Sequence, residues 1–141
     1  MAKILSLKKA IAEFVHDGDT VALEGFTHLI PYAAGHEIIR QKRRDLTLIR
    51  LTPDLVYDQM IGMGCVAKMI FSWGGNPGVG SIHRFRDAVE NQWPRPLEME
   101  EHEHAGMAAK HLGRDTKAVH RLFELNASIH RHVLHMHGHK A

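Results

Sequence analysis

The chain is poor in cysteine, in net charge and in long apolar runs, and each shortage closes off a class of protein. One cysteine, Cys65, stands among 141 residues. An internal disulfide is therefore excluded, and the usage fits a reducing compartment. No Cys/His signature surrounds Cys65, so a buried structural thiol is expected there instead of a nucleophile. Lys8 and Lys9 interrupt the N-terminal apolar segment before a signal-peptide core can form. No stretch reaches the roughly 20 apolar residues of a membrane span. Formal charge is only +2 with neutral histidines, and the basic residues are scattered. Neither nucleic acid nor membrane is expected as a partner. These shortages describe a soluble, cytoplasmic protein, and its length suits one domain.

What is present is an alternation of short apolar runs with helical patterns. Leu5 to Val15 has helical spacing and ends near His16-Asp17-Gly18-Asp19, where Asp-Gly signals a turn. Thr20 to Phe26 reads as a buried strand, and Pro31 to Arg43 as a helix with proline in its first turn. Leu46 to Leu51 is the clearest strand. A short helix from Thr52-Pro53-Asp54 to Ile61, a strand from Val66 to Ser72, a helix from Ser81 to Gln92 and a strand from Leu97 to Glu101 complete the series. This spacing predicts an α/β fold of parallel βαβ units. After about Lys110 no strand pattern returns, so the sheet is expected to be incomplete at the C-terminus.

Three turns fall at strand exits: Glu24 to His28, Thr52 to Asp54, and Ser72 to Gly80. In an open parallel sheet all three share one edge, which is where ligands bind. The last is Ser72-Trp73-Gly74-Gly75-Asn76-Pro77-Gly78-Val79-Gly80, and Ser81 after it is placed to cap the next helix. Its glycines suit either a wall that lets backbone approach a ligand or purely conformational turns. Trp73 and Phe26 can stack on a ligand or pack into the core. The cluster Arg40-Gln41-Lys42-Arg43-Arg44 ends a predicted helix, where cations complement the helix dipole.

The segments Asp17-Gly18-Asp19-Thr20-Val21-Ala22-Leu23-Glu24-Gly25-Phe26, Arg44 to Ile49, Ile61 to Val66, Phe71 to Arg86 and Leu97 to His102 together resemble the A (alpha) subunit of family I CoA-transferases, in its glutaconate CoA-transferase-like branch. Glu24-Gly25-Phe26 stands where the family has Gly-Gly-Phe, and Leu29-Ile30-Pro31 replaces the Gly-x-Pro that follows. The resemblance runs to about residue 110. It implies that 1–110 form the N-terminal part of an alpha-subunit domain and that 111–141 are a divergent histidine-rich tail. The family's alpha subunits look about twice this long, so a truncated or frameshifted gene is expected.

The resemblance also implies chemistry. CoA moves between an acyl-CoA and a carboxylic acid through a glutamyl-CoA intermediate, with the attacking glutamate on the partner B (beta) subunit of the CoA-transferase. No Ser-Glu-Asn-Gly motif of that kind occurs here. This chain would instead supply substrate- and oxyanion-binding groups: Gly25, Phe26, His28, Ser72, Gly74, Gly75 and Asn76. For His28, packing or helix capping is the stronger reading. Glu101 is a catalytic candidate, because the resemblance extends to relatives that hydrolyse CoA thioesters with an essential acidic residue here, while the plainer reading of Glu98, Glu100 and Glu101 is a solvated acidic run. A hydrolase using Glu101, or an inactive fragment, are the alternatives. Strand alternation puts Glu98 and Glu100 on one face and Glu101 on the other. The expected assembly is a hetero-oligomer that takes the CoA thioester as substrate, with no tightly bound cofactor. The tail histidines, His130 to His139, have no completed ligand set, so no metal site is expected.

Overall fold

The computed structural model describes residues 4–23, 30–74, 82–103 and 107. Helix α1, Leu7–Phe14, starts at Ser6, whose hydroxyl accepts the Lys9 N–H, and it buries Ile11 completely. There follow strand β1 (Thr20–Ala22), helix α2 (Tyr32–Arg40), strand β2 (Leu46–Arg50) and helix α3 (Leu55–Gly62). Strand β3 (Val66–Phe71), helix α4 (His83–Glu90) and strand β4 (Glu98–Glu101) complete the order. The sheet runs β1-β2-β3-β4 with every pairing parallel. The expected parallel βαβ architecture is present, and each element is shorter than periodicity suggested.

Spatial order equal to chain order has a consequence for layering. Right-handed crossovers that all step in one direction place their helices on a single face of the sheet. Neighbouring helices α1–α2, α2–α3 and α3–α4 accordingly pack against one another. On the covered face, Val21, Leu48 and Met69 lie side by side in register and are buried. Ile11, Ile38, Val56, Tyr57, Met60 and Ile61 meet them from the helices, with Cys65 and Val66 at the base. Cys65 is thus the buried thiol expected from its surroundings. Helices α2 and α3 approach so closely at Gly35 that a Cβ there would overlap Val56 Cγ2. At Gly18 the backbone takes φ +83°, the left-handed conformation that the Asp-Gly turn demands.

Two local expectations are extended. Ser81 lies outside the described residues, and Ile82 occupies the N-cap position with no side-chain cap bond. Instead Asp58 of α3 accepts the Phe85 N–H at 2.8 Å, so one helix caps the next across 27 residues of chain. The basic cluster after α2 does more than complement a dipole. Arg40 pairs with the buried Glu37. Gln41 donates to Lys8 O at 2.9 Å, Arg43 to Ala12 O at 3.4 Å and Arg44 to Met63 O at 2.8 Å. These cations and the amide bind backbone carbonyls of α1 and of the residue that ends α3.

Replacing Asp58 should therefore destabilise α4 without emptying the core. We expect Asp58→Ala to lower the unfolding free energy by about 1–2 kcal/mol, the usual size of a lost N-cap. Urea titration followed by circular dichroism checks this; an unchanged midpoint would contradict the trans-capping role.

Candidate functional site

Parallel strands expose their last N–H and C=O groups at the carboxyl edge, and those groups need partners before a turn can leave the sheet. Tyr57 supplies them for the first two strands. Its hydroxyl accepts the Leu23 N–H at 2.9 Å and donates to Ile49 O at 2.8 Å. Arg50 adds a bond from Nη1 to Leu23 O at 3.3 Å and lies 5.6 Å above the Tyr57 ring. The same guanidinium pairs with Asp54 at 2.7 Å, and both side chains are buried, at 5% and 8% exposure. Asp54 Oδ1 also accepts the Val56 N–H at 3.1 Å, capping α3. Burial, then the Asp54 carboxylate, pushes the nearby Tyr32 phenol above its ordinary pKa, with Arg50 opposing.

The third exit is tied to the second. The N–H groups of Ser72 and Trp73 both donate to Leu51 O at 3.1 Å. Gly74 sits against an edge-to-face pair, Phe71 and Phe85, whose ring centroids are 5.6 Å apart. A Cβ at Gly74 would come within 3.3 Å of Phe85, so glycine keeps this exit close to α4. Trp73 stands half-exposed at 48%, which rules out the core-packing reading for it.

The fourth exit completes an open depression lined by Ser72, Glu101, His102 and Glu103. The His102 N–H donates to Phe71 O at 2.9 Å, extending the β3–β4 ladder by one bond past Glu101. Alternation is as expected along β4. Glu98 and Glu100 share a face, and both reach Lys68 of β3, at 2.7 and 3.0 Å. Glu100 Oε1 in turn lies 2.6 Å from His102 Nε2. Hydrogen bonding to Glu98, then to Glu100, raises the Lys68 ammonium above the usual lysine pKa.

The structure brings two of the candidate residues, Ser72 and Glu101, to one depression, with Gly74 close by in sequence but packed on Phe85. Gly25, Phe26, His28, Gly75 and Asn76 lie outside the described residues. Sequence reasoning passed over His102, Lys68, Arg50 and Tyr57. A lone lysine within an apolar strand and an Arg–Asp pair spaced i,i+4 across a strand exit were the available signals. Among the described residues no group of His, Cys, Asp and Glu side chains is arranged to hold a metal ion. No described helix is long and apolar enough to cross a membrane.

Comparison with known proteins locates this geometry. Residues 4–114 match the family model described as coenzyme A transferase. The chain is 65% identical over 112 residues to the A subunit of a 3-oxoadipate CoA-transferase from Pseudomonas knackmussii, covering 79% of this chain and 40% of that protein. It is 44% identical over 92 residues to the A subunit of the glutaconate CoA-transferase of Acidaminococcus fermentans, covering 64% of this chain and 29% of that one. The crystal structure of the latter glutaconate CoA-transferase superposes with a TM-score of 0.64 at 39% identity, over 74% of this chain and 32% of that chain. A cysteine-to-serine variant of the decarboxylase AibA/AibB superposes with a TM-score of 0.61 at 31% identity, over 70% and 38%. The chain spans less than half the length of these relatives.

Two measurements probe the edge. Arg50→Met strands the buried Asp54 carboxylate and should cost about 3–5 kcal/mol, whereas a paired Arg50→Met/Asp54→Leu change should cost less. Equal losses for the single and double variants in urea titrations would refute the pairing. Burial raises the Cys65 thiol above its ordinary pKa, with Arg44 partly opposing. Folding therefore favours the protonated thiol. Its stabilisation is complete below the unfolded-chain value and is lost as pH rises through the folded one. Iodoacetamide at pH 8 should label Cys65 slowly in the folded chain and rapidly in urea; equal rates would refute burial as the cause.

Proposed function

The chain belongs to the coenzyme A transferase family, and from that premise we propose that it acts as the alpha-subunit part of a heteromeric CoA-transferase. CoA passes between an acyl-CoA and a carboxylic acid through a glutamyl-CoA intermediate on a partner B subunit. The observation that carries this reading is the 65% identity over 112 residues to the A subunit of a 3-oxoadipate CoA-transferase. It favours a short 3-oxo dicarboxylic acid as acceptor. The assembly is a cytoplasmic hetero-oligomer, and the CoA thioester is substrate, with no tightly bound cofactor.

In this reading the chain builds one wall of the acyl site and does not supply the nucleophile. Ser72 and the backbone of Gly74, Gly75 and Asn76 border the acyl group from the third strand exit. Gly25, Phe26 and His28 border it from the first. The buried Arg50–Asp54 pair and the Tyr57 hydroxyl support this reading, because they fix the ends of the first two strands, and the Leu51 carbonyl ties the third exit to the second. Rigid placement is what a group polarising an acyl carbonyl needs.

A second reading is favoured by Glu101, which lines the depression beside Ser72. There Glu101 would activate water against the thioester, giving a CoA-thioester hydrolase.

One assay separates the two. The chain is combined with its B subunit, and labelled CoA is followed from succinyl-CoA to 3-oxoadipate or glutaconate. Transfer that requires both subunits is the expected result, with Glu101→Gln retaining transfer within about tenfold. Free CoA release without transfer, abolished in Glu101→Gln, would establish hydrolysis instead.

A further inference from the structure

Among the described residues, Ser72, Glu101, His102 and Glu103 line the depression at the third and fourth strand exits, and of these four only His102 carries ring N–H donors. Its position is unusually well determined for a residue just past a strand end. The backbone is held by the bond to Phe71 O at 2.9 Å. The ring is held by Glu100 at 2.6 Å, and Glu100 is held by Lys68 at 3.0 Å. Lys68 is itself fixed from the other side by Glu98 at 2.7 Å. The chain Glu98–Lys68–Glu100–His102 thus runs along two paired strands and ends on the rim, where His102 is 24% exposed.

We propose that His102 contacts the acyl thioester and that Glu100 is its positioning residue, anchored by Lys68. The proposal rests on the CoA-transferase reading above. Glu101 and Glu103 on the same rim disfavour a free carboxylate there, so the group received is the neutral thioester carbonyl. When the partner's glutamate attacks, its carboxylate oxygen bonds to the thioester carbon and the carbonyl electron pair moves onto oxygen. Collapse of that intermediate breaks the C–S bond and releases the CoA thiolate. A ring N–H pointed at the carbonyl oxygen stabilises the charge only as it develops, which lowers the barrier without tightening ground-state binding. Glu100 fixes the direction of the ring, as a carboxylate does for a catalytic histidine.

The test uses the chain assembled with its B subunit and a probe that keeps the carbonyl but cannot be cleaved, S-acetonyl-CoA. With 13C-labelled histidine, the His102 ring signal, assigned by its loss in His102→Ala, should shift on adding S-acetonyl-CoA and not on adding CoA alone. The signals of His16, His36 and His83 should stay in place. Glu100→Gln should reduce that shift severalfold. In turnover, His102→Ala should lower kcat by about 100-fold with KM changed less than about threefold, and Glu100→Gln should lower kcat by about tenfold. Glu90→Gln, on the exposed face of α4, should leave both constants unchanged. A transferring enzyme whose His102 signal ignores S-acetonyl-CoA, or whose His102→Ala form keeps its kcat, would overturn the proposal. A selective His102 response in an assembly that does not transfer CoA would uphold the contact and refute the transferase reading.

Discussion

The Tyr57 hydroxyl is the point on which the carboxyl edge of the sheet depends. One oxygen, wholly buried, satisfies a donor from Leu23 and an acceptor on Ile49, residues of neighbouring strand ends that would otherwise be left without partners in the interior. A buried backbone group without a hydrogen bond costs about 1–3 kcal/mol, so this oxygen secures two such groups at once. Its ring sits in the core while its oxygen serves the edge, and the Arg50 guanidinium lies over its face. Arg50 then closes the remaining Leu23 carbonyl and is neutralised by Asp54, which starts α3. The helix that carries Tyr57 is therefore begun by the partner of the arginine stacked upon it. The strand exits, the start of α3 and the core form a single hydrogen-bonded unit.

The same economy appears further along the chain. Asp58, one residue beyond Tyr57, turns away from the edge and caps α4, which packs Phe85 against Phe71 beneath the third exit. Adjacent residues of α3 thus govern opposite ends of the site. On the far side of β3 the arrangement changes from neutral hydrogen bonds to charge. Lys68 gathers two carboxylates of β4, and one of these passes on to His102. The covered face of the sheet is held by apolar packing, while the fourth strand joins through its parallel ladder to β3 with Lys68 offsetting the charge of Glu98 and Glu100.

Much of this was legible in the residues. The alternation of periods gives the parallel sheet, and the placement of Ser72 and Glu101 at strand ends follows from it, because parallel strands end on one edge. The shared face of Glu98 and Glu100 follows from strand periodicity alone. What joins them does not. Lys68 meets Glu98 only because β3 and β4 adopt one register out of several, and register is a property of the packed sheet. Asp58 is hidden for the same reason: a cap is normally sought next to its helix, and this one lies 27 residues earlier. The cluster from Arg40 to Arg44 was legible only in part. Its position at a helix end gives dipole complementarity, yet Arg43 and Arg44 are occupied with carbonyls of Ala12 and Met63, which only the folded chain brings near.

The strand order carries one more implication, for how the molecule comes into being. Order in the sheet and order of synthesis coincide: β2 needs only β1 to pair with, β3 only β2, and β4 only β3. Each helix likewise packs on the one made just before it. A nascent chain leaving the ribosome can therefore add its layers in sequence, never waiting for a distant segment to fill a gap already formed. Trans-capping by Asp58 and the carbonyl clasps of Arg43 and Arg44 reach backward or forward by one unit only. Growth at a single advancing edge keeps the unpaired strand to one at a time, which limits the window in which a half-made sheet can pair wrongly.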